Sequence, residues 1–138
     1  MLERFDRTSR ADRLFRTTLL PVAARVLVAL GDVERIRPLL DGPAPISRRE
    51  RLSSASTMAV VAEADGDLAA AAERYRQAAA GWRAYGMPVE EGQLLVGLAR
   101  CERGLSHLAA ATAAARDAVG VLTPLGAQPL IEEAEALR

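Results

Sequence analysis

Apolar residues recur every three or four positions along most of this chain, and polar residues take the other side of each stretch. The clearest case is residues 66–86, GDLAAAAERYRQAAAGWRAYG, where Gly66 and Asp67 form a turn and a helix cap. Its apolar positions are spaced for one face of a helix and are Leu68, Ala71, Ala72, Tyr75, Ala78, Ala79 and Trp82. The pattern therefore predicts an amphipathic helix between Gly66 and Gly86.

The same periodicity predicts further helices, which are separated by short turns rich in glycine and proline. Pro38 should kink or end a short second helix, because proline has no N–H to donate. Ser47 and Glu50 form a capping box, which predicts the start of a third helix. Strand-like alternation is absent from the sequence, so we predict an all-α fold with helices paired antiparallel across short turns.

The chain divides into a basic leader, residues 1–19, and a helical domain, residues 20–138. Arginine occupies every third position of the leader: Arg4, Arg7, Arg10, Arg13 and Arg16. On a helix these side chains would spread around the circumference, so we expect a solvated, partly helical segment. A basic arm that binds phosphates is the alternative.

Part of the helical pattern repeats along the chain. Leu68 to Ala71 recur 40 residues later as Leu108 to Ala111, and turns begin at Gly31, Gly66 and Ser106, which are 35 and 40 residues apart. Seven residues before each turn lies an alanine, which allows two helices to approach closely: Ala24, Ala59 and Ala99.

Helix pairs with a period near 34 and small residues where they cross resemble tetratricopeptide repeats. Tyr75 stands at the position of the aromatic residue that is typical of the second helix, whereas Leu40 and Ala115 replace it in the other repeats. The resemblance implies antiparallel helix pairs stacked as a tetratricopeptide-like right-handed superhelix. About three degenerate repeats and a C-terminal capping helix would form it.

Three segments carry a narrower resemblance over residues 20–138: LLPVAARVLVALGDVERIRPLL, AEADGDLAAAAERYRQAAAGWRAYGMPVEEGQLLVGLARC and LGAQPLIEEAEAL. They are similar to the C-terminal repeats of large bacterial ATP-binding transcriptional regulators and adenylate or guanylate cyclases. This resemblance implies a sensing or binding role. Catalysis does not carry over, since the chain has no lysine and no GxxxxGK phosphate loop. The chain resembles the tail of such a protein standing alone, as a small gene or a cut-out domain.

Charge and cysteine content narrow the classes of partner. The 18 basic and 18 acidic residues cancel, so binding to nucleic acid or to a membrane surface is not expected. Leu19 to Leu30 is apolar, but it is too short to span a bilayer and contains Arg25. The single cysteine, Cys101, cannot form an internal disulfide, which favours a cytoplasmic location.

Residues that could carry catalysis or bind a metal are few. Cys101 falls on the apolar stripe of Leu94 and Leu98, which predicts a buried, inert thiol, and His107 opens a helix, where a structural role is expected. One histidine and one cysteine do not make a zinc site. We therefore predict a protein that is not an enzyme and has no cofactor or metal.

In a tetratricopeptide-like array, the first helix of each pair faces the concave side, and carrying the turn register back places nine residues there. They are Arg25, Ser53, Ser56, Val60, Glu63, Gln93, Val96, Arg100 and Arg103. Three arginines against one glutamate suggest a protein or peptide partner that is acidic, because arginine pairs with carboxylates. This interpretation makes the chain a regulatory scaffold for protein binding.

Two alternatives stay open. The concave face is also compatible with solvent exposure or with a homodimer, because only about three repeats are present. A ligand-sensing or DNA-associated regulatory fragment would instead use Arg48, Arg49 and Arg51 together with the N-terminal arginines.

Overall fold

A computed structural model describes residues 11–42 and 44–138, apart from the side chain of Arg16. This described part is helical without a strand, and its helices pack against one another, which confirms the all-α prediction. Its seven α-helices are α1 (Leu20–Ala29), α2 (Arg37–Leu40), α3 (Arg48–Ala64), α4 (Leu68–Tyr85), α5 (Pro88–Gly104), α6 (Leu108–Leu122) and α7 (Gln128–Ala136). Shorter helical segments are a π-helical turn, Phe15–Leu19, and two 3-10 turns, Val33–Arg35 and Thr123–Leu125.

The helix ends follow the predicted capping chemistry. The Ser47 hydroxyl accepts a hydrogen bond from the backbone N–H of Glu50 at 3.1 Å, and the Glu50 carboxylate accepts one from the N–H of Ile46, also at 3.1 Å. Asp67 accepts from the N–H of Ala70 at 3.2 Å at the start of α4. Gly86 ends that helix with a φ of 87°, a conformation that glycine adopts without strain.

Consecutive helices pack on each other from α3 to α7, and α1 packs directly against α3. This exception has a local cause: Pro38 lies at the start of α2, which is only four residues long and follows a 3-10 turn. The odd-numbered helices also touch in sequence, α1 on α3, α3 on α5 and α5 on α7. They consequently form one continuous row.

The core combines small residues at helix crossings with two large aromatic side chains. Ala59, Ala71 and Ala99 are fully buried, so the helices that carry them approach closely. Trp82 is 1% exposed, and its indole N–H donates to the Ser56 hydroxyl at 2.8 Å. Tyr75, on the same face of α4, is 2% exposed.

The start of α1 depends on a hydrogen bond from α3. Residues 11–19 are helical and run into α1, so the helix crosses the expected boundary between the leader and the domain; Arg4, Arg7 and Arg10 lie outside the described residues. Pro21 has no N–H to donate to the carbonyl of Thr17, four residues earlier. The buried Ser53 hydroxyl donates to that carbonyl at 2.8 Å.

We expect Ser53→Ala to lower the free energy of unfolding by about 1 kcal/mol, because the Thr17 carbonyl loses a buried donor. Urea unfolding followed by circular dichroism measures the change. Ser54→Ala, at the partly exposed neighbouring position, is the matched control and should leave stability within about 0.5 kcal/mol of the parent. Equal stability of the two variants would contradict this role of Ser53.

Candidate binding groove

A groove of about 520 Å³ runs along the row of odd-numbered helices. Side chains of α1, α3, α5 and α7 line it, and Tyr75 of α4 also contributes to the lining. Its apolar lining consists of Val28, Ala29, Val60, Ala64, Val96 and Leu130, and its polar lining of Arg25, Glu63, Tyr75, Gln93, Arg100 and Glu133. Helices that are far apart in sequence therefore contribute to one site.

Six of the nine residues predicted for the concave face line this groove: Arg25, Val60, Glu63, Gln93, Val96 and Arg100. Val60 and Val96 are nearly buried at its base. Both belong to the buried apolar cluster, so these two predicted contact residues are part of the core as well as of the groove.

The other three predicted residues are occupied elsewhere. Ser53 and Ser56 are buried between helices, where Ser53 bonds to Thr17 and Ser56 accepts the hydrogen bond of Trp82. Arg103 donates to the backbone carbonyl of Ala136 at 3.1 Å and so caps the C-terminal end of α7.

Glu63 is the centre of a polar network that joins four helices. Its carboxylate accepts two hydrogen bonds from Arg100, from Nε at 2.7 Å and from Nη2 at 3.0 Å, and one from the Tyr75 hydroxyl at 2.5 Å. The remaining terminal nitrogen of Arg100, Nη1, donates to Glu133 at 2.5 Å. The network fixes α3, α4, α5 and α7 relative to one another.

Burial and the Glu63 charge shift the pKa values of groups around this network. Burial raises the pKa of Tyr75 well above its ordinary value of 10, and the neighbouring Glu63 carboxylate adds to that. Burial also raises the pKa of the Cys101 thiol to about 12, again with a contribution from Glu63. Burial by itself lowers the pKa of Arg100, but the hydrogen bonds and charge of Glu63 outweigh it and the pKa lies above its ordinary value.

Arg25 is paired less tightly than Arg100. Its Nη2 atom lies 3.7 Å from Oε2 of Glu90, an ion-pair distance that is too long for a hydrogen bond. Within the described part of the chain, both atoms and Oε1 of Gln93 are buried without a hydrogen-bond partner. Burial lowers the pKa of Arg25, and the charge of Glu90 opposes that shift.

Six lining residues do not follow from the predicted concave face: Val28, Ala29, Ala64, Tyr75, Leu130 and Glu133. The prediction of a capping helix for α7 assigns it no contact residues, whereas Leu130 and Glu133 of this helix line the groove.

Other candidate chemistry lies outside the groove. Cys101 is fully buried, and Nδ1 of His107 lies 2.8 Å from Oε2 of the buried Glu102. Across residues 11–42 and 44–138, no three His, Cys, Asp or Glu side chains are grouped to hold a metal ion. None of the helices in those ranges is both long and apolar enough to cross a membrane.

Arg48, Arg49 and Arg51 lie at the start of α3, away from the residues that line the groove. The Arg48 guanidinium lies over the Tyr85 ring, 5.8 Å from its centroid, and that ring meets Trp82 edge to face with 5.6 Å between the ring centroids.

Comparisons with protein-family models, with curated proteins and with solved structures find no match to this chain. The geometry of the groove is therefore the basis for a functional assignment.

Proposed function

We propose that this chain is a non-catalytic helical-repeat module that binds a segment of another protein in the groove. The observation that carries the proposal is the groove itself, of about 520 Å³, which draws its lining from every odd-numbered helix. Four side chains, Val28, Val60, Val96 and Leu130, offer it apolar contacts. Polar groups beside them would fix the orientation of a bound segment.

We further propose that the helices form a tetratricopeptide-like right-handed superhelix, with the odd-numbered helices on its concave side. Their continuous row of contacts supports this arrangement. Helical-repeat proteins bind partners on such extended concave surfaces.

Non-catalytic action is supported by the state of the two most reactive side chains. The Cys101 thiol is fully buried with a pKa raised to about 12, so little thiolate forms at neutral pH. His107 faces a carboxylate of the same chain, in the manner of a structural pair. A lone buried thiol also suits the cytoplasmic location that we propose.

A small-molecule sensor is the second candidate, and the groove volume favours it. A volume of about 520 Å³ lies within the range of roughly 300–1,000 Å³ that is usual for small-ligand sites.

A homodimer also remains a proposal. The helical stretch from Leu19 to Leu30 offers it an apolar surface of exposed side chains, Leu19, Val22, Val26 and Leu30.

Selection from a random peptide library on the folded protein tests the proposed function. Ala29→Phe places a ring at the exposed edge of the groove, and Ala109→Phe places the same ring on an exposed position of α6. We expect the selected peptides to bind the parent and Ala109→Phe equally, and to bind Ala29→Phe at least about tenfold more weakly because the ring occupies their site. Peptides that bind all three proteins alike would contradict groove binding.

A further inference from the structure

We infer that the segment bound in the groove carries a cationic group, an ammonium or a guanidinium, and not a carboxylate. This inference rests on the proposed function of the groove and names the chemistry of its ligand. It reverses the partner charge that the sequence suggested, because the structure places carboxylates beside each of the groove arginines.

The charged residues that line the groove balance one another, and the Glu90 carboxylate paired with Arg25 adds one negative charge beside them. Arg25 and Arg100 contribute two positive charges, whereas Glu63, Glu133 and the Arg25 partner Glu90 contribute three negative ones. The third arginine of the sequence-based count, Arg103, binds the end of α7 and does not line the groove. The excess is one negative charge.

The groove arginines are poorly placed to receive a carboxylate. Arg100 uses Nε, Nη1 and Nη2 for Glu63 and Glu133, so an incoming carboxylate would have to displace one of them. Arg25 faces Glu90 across 3.7 Å, and this carboxylate would repel a second one brought to the same guanidinium.

An incoming cation would meet an available acceptor in Glu133. Its side chain is 43% exposed, and Arg100 binds its Oε1 atom. Within the described residues, Oε2 of Glu133 has no hydrogen-bond partner. A donor placed there would share the carboxylate with Arg100, as Arg100 already shares its own charge between two carboxylates.

The apolar lining suits the stem of a basic side chain. Leu130, three residues before Glu133 on α7, lies on the same side of that helix, and both line the groove together with Val28 of α1. Lysine and arginine bury aliphatic stems along apolar surfaces and keep the charged head with polar groups. A lysine or arginine flanked by small aliphatic residues therefore matches both features of the groove.

Three pentapeptides that differ only at the central residue test the inference: Ac-Ala-Val-Xaa-Val-Ala-NH2 with lysine, glutamine or glutamate. Binding to the parent is measured by NMR titration at low and high salt. We expect the lysine peptide to bind roughly tenfold more tightly than the glutamate peptide at low salt, with the glutamine peptide between them. The difference should shrink at high salt because screening weakens charge–charge interactions.

Two variants locate the effect. Glu133→Gln should lower the affinity for the lysine peptide about threefold or more and leave that for the glutamine peptide unchanged, since it removes one exposed charge partner. Glu132→Gln is the matched control, because Glu132 is the carboxylate next to Glu133, is exposed and does not line the groove. It should bind all three peptides as the parent does.

Equal or reversed affinities of the lysine and glutamate peptides, with Ala29→Phe still blocking both, would overturn the inference and leave the proposed function intact. Binding that Ala29→Phe does not weaken would overturn both. Absence of binding by all three peptides would overturn the inference for peptide ligands, while the library selection still judges the proposed function.

Discussion

Gly97→Ala is expected to destabilise the fold by about 1–3 kcal/mol or more, because it forces a methyl group into a fully packed position. A Cβ at residue 97 would lie 2.5 Å from both Cε1 and Cζ of Tyr75, closer than carbon atoms approach in proteins. The ring cannot move aside cheaply, since Tyr75 is 2% exposed and Glu63 holds its hydroxyl. The change should also disturb the polar network behind the groove.

Gly120→Ala is the matched control for this substitution. Gly120 lies within α6, is exposed, and has no atom within 4 Å of the position that a Cβ would take. Alanine is the better helix former by about 0.5–1 kcal/mol, so this variant should be more stable than the parent. Urea unfolding curves of the two variants should therefore move in opposite directions, and a Gly97→Ala protein as stable as the parent would disprove the close packing.

The helices of this chain could be predicted from the sequence because their signals are local. Asp67 and Ser47 cap α4 and α3 with hydrogen bonds to residues three positions ahead, so both partners of each bond lie within four consecutive residues. The apolar positions of α4 likewise identify the residues that the helix buries, Tyr75 and Trp82 among them. The full-length superhelix remains a proposal.

The role of individual polar residues depends on distant partners, which periodicity does not specify. The helical period placed Ser53 and Ser56 on the groove side of α3, but it contains no information on the Thr17 carbonyl or the Trp82 indole. These partners draw both hydroxyls into the interior. The need for a donor at Thr17 follows from Pro21, yet the sequence does not say which side chain supplies it.

The charges that surround the groove arginines also depend on distant partners. A count of charged residues on the predicted face includes Glu63 but omits Glu90 and Glu133, which join the site by pairing with Arg25 and Arg100 across helix boundaries. The sequence contains these carboxylates, but only the ion pairs of Glu90 with Arg25 and of Glu133 with Arg100 bring them to the groove arginines. Net charge of the chain, which is zero, gives no hint of the local excess.

Stability is expected to fall as the pH rises above about 9, because two buried groups resist ionisation in the folded chain. The pKa of Cys101 rises from an ordinary value of 9 to about 12, and that of Tyr75 rises well above 10. Both groups have a higher pKa folded than unfolded. Their contribution to stability is therefore fully present at pH values below the pKa of the unfolded chain. It is lost at higher pH, where each group ionises in the unfolded chain but stays protonated in the folded one.

The size of the loss follows from proton linkage. Each group that ionises only in the unfolded chain lowers the free energy of unfolding by about 1.4 kcal/mol per pH unit. Cys101 alone acts from about pH 9 and Tyr75 joins it above about pH 10, so the slope should roughly double between these values. Urea unfolding at half-unit steps from pH 7 to pH 11 measures this slope.

Variants separate the contributions of Cys101 and Tyr75. The quantity to compare is the slope of the free energy of unfolding against pH and not the stability itself, because Tyr75→Phe also removes a hydrogen bond to Glu63. Cys101→Ala should abolish the decline between about pH 9 and 10, and Tyr75→Phe should abolish the steeper part above it. A Tyr75→Phe protein that loses stability above pH 10 as steeply as the parent would show that the Tyr75 hydroxyl ionises as readily in the folded chain as in the unfolded one.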